Sequence, residues 1–144
     1  MTLNLTGITF YIVLLNIVIF SADISAHGIP VPMNASTSIN SPADGDTVSS
    51  PFLVKFSVRN FMIAPSGENV NRAGHYHLLI NVIEPVNYHE SLPFDQQHLD
   101  FEQGESEVLL KLPKGKHRLQ LVVGDQTHEP IKPLVSNPIT ITVK

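Results

Sequence analysis

The chain contains no cysteine, so disulfides, thiolate metal sites and lipid attachment through an N-terminal Cys are all unavailable. Any metal must be held by nitrogen and oxygen donors, with the thioethers of Met33 and Met62 a weak third choice. No Lys/Arg run or basic stripe occurs, and 9 basic residues stand against 13 acidic ones for a formal net charge of −4. Neutralising phosphates requires such a stripe, so nucleic acid is not an expected partner. Enzyme signatures are missing too. There is no G-x-S-x-G, no H-E-x-x-H and no Gly-rich phosphate loop, and His89-Glu90 lacks a second His at helical spacing. A non-enzymatic protein is therefore expected. A zinc site of three ligands with an open position is the one hydrolytic chemistry these absences leave standing. Outside the N-terminus no segment carries a helical period of useful length, and no internal repeat is present.

With 144 residues, 42% apolar and 15% charged, the chain is sized and composed for one globular domain. Its single long apolar run, ITFYIVLLNIVIF (Ile8 to Phe20), is too short to cross a bilayer untilted and is followed by small residues in SADISA. Residues 1–26 are thus expected to be a signal peptide, cut after Ala26 or Ala22, although residues 1–7 hold no Lys or Arg. An uncleaved anchor is the alternative, diluted by Asn4, Thr6 and Asn16. The expected location is periplasmic or secreted, with no membrane span after cleavage. Residues 27–40, rich in Pro, Ser and Asn, read as a linker. They contain a glycosylation sequon, Asn34-Ala35-Ser36. The domain is expected over residues 41–144.

From Ser41 the turn chemistry becomes regular, with Pro42, Asp44-Gly45 and Pro51 preceding FLVKFSV, which sets Phe52, Val54, Phe56 and Val58 on one face. HYHLLINV alternates next, with Tyr76, Leu78, Ile80 and Val82 forming its more apolar face. SEVLLKL points Val108, Leu110 and Leu112 inward. KHRLQLVV does so with Leu119, Leu121 and Val123, and ITITVK with Ile139, Ile141 and Val143. About seven short strands in this length predict an all-β protein, an immunoglobulin- or fibronectin-like β-sandwich, with a small barrel as fallback.

Residues two apart on a strand face the same way, so His75 and His77 can lean toward a common ion. Taken alone, H-x-H is weak, and two polar residues on a wet face is the plainer reading. Topology strengthens it. If FLVKFSV is strand B, HYHLLINV strand C, the 116–123 strand F and ITITVK strand G, then the start of C and the F–G connection share one end of the sandwich. That connection carries Asp125 and His128. Three imidazoles and a carboxylate form a ligand set for Cu(II), Zn(II) or Ni(II). The candidate metal ligands are His75, His77 and His128, with His98 or Asp125 as fourth. His98 lies in QQHLDF beside Asp100, at the end of a connection whose path the sequence does not define. His117 falls on the apolar side of strand F at the opposite end and is expected to be structural. His89 reads as a solvated loop residue. His27 gains a chelating α-amine only if cleavage follows Ala26.

SPADGDTVSSPFLVKF, GHYHLLI, HLDFEQGESEVLLKLPKGKHRLQLVVGDQTHEP and ITITVK resemble, in the same order, the family catalogued as domain of unknown function 4399, found in exported bacterial proteins. The resemblance covers nearly everything from Ser41 to Lys144. It implies an exported all-β domain without an assigned activity. His75, His77, His98, His117 and His128 match the family pattern, which also tends to have His where Tyr76, Asp100 and Gln126 stand here. These departures point to a single reduced site. The expected function is non-enzymatic binding of copper or zinc. The alternative is a cell-envelope module that binds a protein or glycan, its histidines shaping the loops.

Overall fold

Alternation decides most of the architecture. In the computed structural model, which describes residues 30–68, 70 and 72–144, the segment FLVKFSVR forms a strand whose Phe52, Val54 and Phe56 are buried while Leu53, Lys55 and Ser57 face out. The signal segment and His27 lie outside the described residues. Ten strands follow one another: β1 (Ser36–Ser41), β2 (Thr47–Val48), β3 (Phe52–Arg59), β4 (Met62–Ile63), β5 (Ala73–Ile80), β6 (His98–Phe101), β7 (Glu107–Leu110), β8 (Gly115–Gly124), β9 (Pro130–Val135) and β10 (Ile139–Val143). They form two sheets. One has the order β1-β3-β7; the other runs β2-β10-β8-β5-β4, with β6 also paired to β5 and β9 to β8. Pairing is antiparallel except for β2 with β10 and β4 with β5. With β3 as B, β5 as C, β7 as E, β8 as F and β10 as G, this is the distribution of an immunoglobulin-type sandwich. Among the described residues no helix is long and apolar enough to cross a membrane.

The inward faces meet in one core. Val54, Phe56, Tyr76, Leu78, Leu119, Leu121, Val123 and Ile141 are buried together, and Phe56 packs against Tyr76 and Phe101 at ring-centroid distances of 5.0 and 4.8 Å. Aromatic pairs of this kind contribute roughly 0.5–1.5 kcal/mol each beyond the apolar area they bury. The edge strand β9 carries Pro130 and Pro133, which withhold backbone donors from an incoming strand.

Three expectations need correction. The segment expected to be a linker, residues 27–40, supplies residues 36–40 of β1, and Ala35 is buried in the core. Its alternation is easily missed because only Thr37 and Ile39 turn inward and the other positions are small and polar. Among the described residues the strands number ten, where about seven were expected, since two-residue bridges and the Pro-bearing β9 leave little period to read. Finally, β5 ends at Ile80 and is buried on both faces. Tyr76, Leu78 and Ile80 enter the main core, whereas Leu79 joins Leu92 and Val122 in a second cluster flanked by Val82, Val86 and Val135. The connection between β5 and β6 covers this second face, so the histidines that share it with Leu79 are not wet.

Candidate metal centre

Sheet register brings the site together. His75 and His77 lie on the covered face of β5. Across one edge of β5, His77 stands opposite Asp100 of β6; across the other, His75 stands opposite Gly124, the last residue of β8. A Cβ at Gly124 would sit 2.8 Å from His77 Nε2 and 3.0 Å from its Cδ2. Glycine there leaves the room that the ring occupies. Beyond Gly124 the chain turns sharply into β9. His128 N–H donates to Asp125 O at 3.0 Å and Asp125 N–H to Glu129 O at 2.9 Å, which is a three-residue hairpin loop with its αL position at His128. There φ is +63°, in the left-handed region that glycine adopts freely and most L-residues avoid. The strained backbone aims the imidazole back over β5.

His75, His77, Asp100 and His128 each offer one ligand atom, and these atoms all lie within 4.8 Å of one another. His75 Nε2 is 3.0 Å from His128 Nδ1 and 3.4 Å from Asp100 Oδ1. His77 Nδ1 is 3.8 Å from Asp100 Oδ1, and His128 Nδ1 is 3.7 Å from Asp100 Oδ2. In a tetrahedron with metal–ligand bonds of 2.0–2.1 Å, adjacent ligand atoms stand ~3.3–3.4 Å apart. The observed separations straddle that value. The donor set, three imidazoles and one carboxylate, suits a borderline divalent ion.

The electrostatics match. Burial holds the His77 imidazole down at about 3, and His75, His128 and His98 add repulsion. Burial also lowers His75, opposed by the charge of Asp100. Neutral imidazoles are the metal-binding form. The carboxylate among them is short of partners: both Asp100 oxygens and His77 Nε2 are buried with no hydrogen-bond partner. Buried polar groups are nearly always satisfied, and an unsatisfied carboxylate costs on the order of 1–3 kcal/mol or more. A cation among these four residues would satisfy the Asp100 oxygens.

Of the five expected ligands, His75, His77 and His128 converge and two do not. Asp125 Oδ1 is spent on its own turn, accepting from Thr127 N–H at 2.8 Å, Thr127 Oγ1 at 2.7 Å and Glu129 N–H at 3.0 Å. His98 shares the face of β6 with Asp100 but lies opposite Leu79, beyond the cluster, with Nδ1 2.8 Å from Asp95 Oδ1. The fourth member is Asp100, which the sequence reading passed over as a neighbour of His98. A local signal was there, since Asp100 stands two residues from His98 in β6 and shares its face. His117 is buried at the other end, its Nε2–H donating to Pro113 O at 2.8 Å and its Nδ1 accepting from Asn81 Nδ2 at 3.1 Å. It is structural. His89 is exposed.

The model of the family described as domain of unknown function (DUF4399) matches residues 54–144, more than half of the chain, and the chain belongs to that family. No curated protein and no solved structure matches it.

Proposed function

We propose that this member of the family is a non-enzymatic, exported β-sandwich protein that binds one Zn(II) or Cu(II) ion through His75, His77, His128 and Asp100. The observation that carries the reading is Asp100, a carboxylate buried among three imidazoles with neither oxygen hydrogen-bonded. If the histidines served only to shape loops, these atoms would be expected to have partners, as both nitrogens of His117 have. Four protein ligands would fill the positions of a tetrahedral ion and favour its retention over hydrolysis, which needs an open position. The periplasm or the extracellular space is the proposed location, from the apolar run and small residues at the N-terminus.

Calorimetry of metal-free protein with Zn(II) or Cu(II) at neutral pH tests the proposal. Saturable binding of one ion per chain is expected, lost in the His75→Ala/His77→Ala double variant. Equal binding by that variant would remove the site. Indifference of the wild type to both ions would favour an envelope-interaction module instead.

A further inference from the structure

The four ligands are unequally held. The side chains of His75 and His77 are 2% exposed and sit on the central strand β5, whereas those of Asp100 and His128 are 11% and 19% exposed. His128 also rides on a turn in the left-handed region. That turn is clasped from outside by residues 91–94. Leu92 N–H donates to His128 O at 2.9 Å and Ser91 Oγ–H to Thr127 O at 2.6 Å. The Phe94 ring meets the His128 ring edge-on at 4.7 Å and 76°, yet Phe94 itself is 70% exposed. A large apolar ring left in water over a buried polar cluster has no role in the core.

Beside His75 a small opening of about 10 Å³, lined by Ala64, Gly74 and Gln126 among the described residues, has room for about one water molecule. Two larger clefts, lined by Tyr88 and Lys132 and by Leu79 and His98, touch none of the four ligands. Along β5 the site is walled by Leu79, Leu92 and Val122.

We propose that the ion enters and leaves across the edge between Asp100 and His128, and that Phe94 and Ser91 form the latch that sets the rate of this exchange. The proposal rests on the metal-site reading above. An ion shedding or regaining water exchanges ligands one at a time, and the ligand on the least stable support is the one free to move. His77 is fixed by pairing on both edges of β5 and His75 by pairing with β8; His128 is fixed by a hairpin loop and the clasp. Opening the clasp frees His128 without disturbing either sheet. A latch of this kind raises the barrier for entry and exit alike and leaves the bound state's own contacts unchanged.

The test is stopped-flow measurement of Zn(II) association and of chelator-driven dissociation, with Kd measured independently by equilibrium competition. Phe94→Ala and Ser91→Ala should each raise both rate constants by a similar factor, about fivefold or more, with Kd held within about twofold. Unchanged rates in both variants, with wild-type Zn(II) binding intact, would overturn the route alone. A rise in dissociation only, with Kd weakened in proportion, would overturn it too, because Phe94 and Ser91 would then be stabilising the bound state. Ser91→Ala removes a single hydroxyl and keeps the test decisive if Phe94→Ala folds poorly. Absence of Zn(II) binding by the wild type would instead sink the metal site on which the route depends.

Discussion

Replacing His128 with glycine separates its two roles, as a turn residue and as a ligand. At φ +63° an L-residue other than glycine bears a cost of about 1–2 kcal/mol, which His128→Gly relieves. Against that stand the loss of the hydrogen bond with His75 at 3.0 Å, about 1 kcal/mol, and of the edge-on contact with Phe94, about 0.5–1 kcal/mol. The added freedom of glycine in the unfolded chain takes roughly another 0.5–1 kcal/mol. The net is a loss of about 1 kcal/mol. The metal-free variant should therefore melt roughly 4–8 °C below the wild type, the shift that 1 kcal/mol produces in a domain near this size.

Metal separates them. Zn(II) at about 100 times the wild-type Kd should stabilise the wild type by about 2.7 kcal/mol, a rise in Tm on the order of 10 °C. If loss of one of four ligands weakens binding by about a hundredfold, the same Zn(II) concentration equals the variant's Kd and stabilises it by only ~0.4 kcal/mol. Thermal melts of both proteins, with and without Zn(II), provide the four numbers required. A full Zn(II)-induced rise in the variant would show that His128 is not a ligand. A metal-free variant destabilised by more than about 3 kcal/mol would show that the imidazole holds the turn together, contrary to the strain argument.

Acid should destabilise the metal-free protein. His77 titrates near 3 in the native state and near 6.5 when unfolded, so between those values the unfolded chain binds the extra proton and stability falls as pH drops. The loss by pH 3 is on the order of 4 kcal/mol from this group; urea titrations at several pH values should show the slope, and His77→Leu should flatten it. Asp100→Asn keeps the shape but removes the unpartnered charge. Its metal-free stability should hold or rise by about 1 kcal/mol while Zn(II) affinity falls by about a hundredfold, measured by calorimetry; an unaltered affinity would remove Asp100 from the site. Gly124→Ala places a methyl 2.8 Å from His77 Nε2. It should cost about 1–3 kcal/mol in urea unfolding and weaken Zn(II) binding as the ring is displaced; wild-type stability and affinity would mean that the ring relaxes freely.

What the sequence disclosed follows from the range over which each feature is encoded. Alternation within β3, β8 and β10 is local, and Phe52, Leu119 and Ile141 could be placed inward directly. The spacing of His75 and His77 is local too. The presence of His128 at the same rim required only the connectivity of a sandwich, because the start of β5 and the end of β8 must adjoin if the two strands pair antiparallel. Asp100 required more. Its place opposite His77 depends on the register of β6 against β5, and β6 is a four-residue strand reached through a long connection with no period. Shifting that register by one residue would turn Asp100 to the other face of the sheet. His98 and Asp125 looked equally eligible because a sequence shows donor types but not which donors are already engaged by Asp95 or by the turn at Thr127.

The same distinction bears on the proposed metal site. The central strand β5 supplies His75, paired with β8, and His77, paired on both sides, while a short strand and a strained turn supply Asp100 and His128. His75 and His128 are 53 residues apart in the chain, so an ion held between them closes a long loop and selects the native arrangement over every open one. A cysteine-free chain has no disulfide to make that closure. The carboxylate left without partners is therefore the informative residue: it is a local cost that folding alone does not repay, placed where one bound cation would offset it and tie β5, β6 and the β8–β9 turn together.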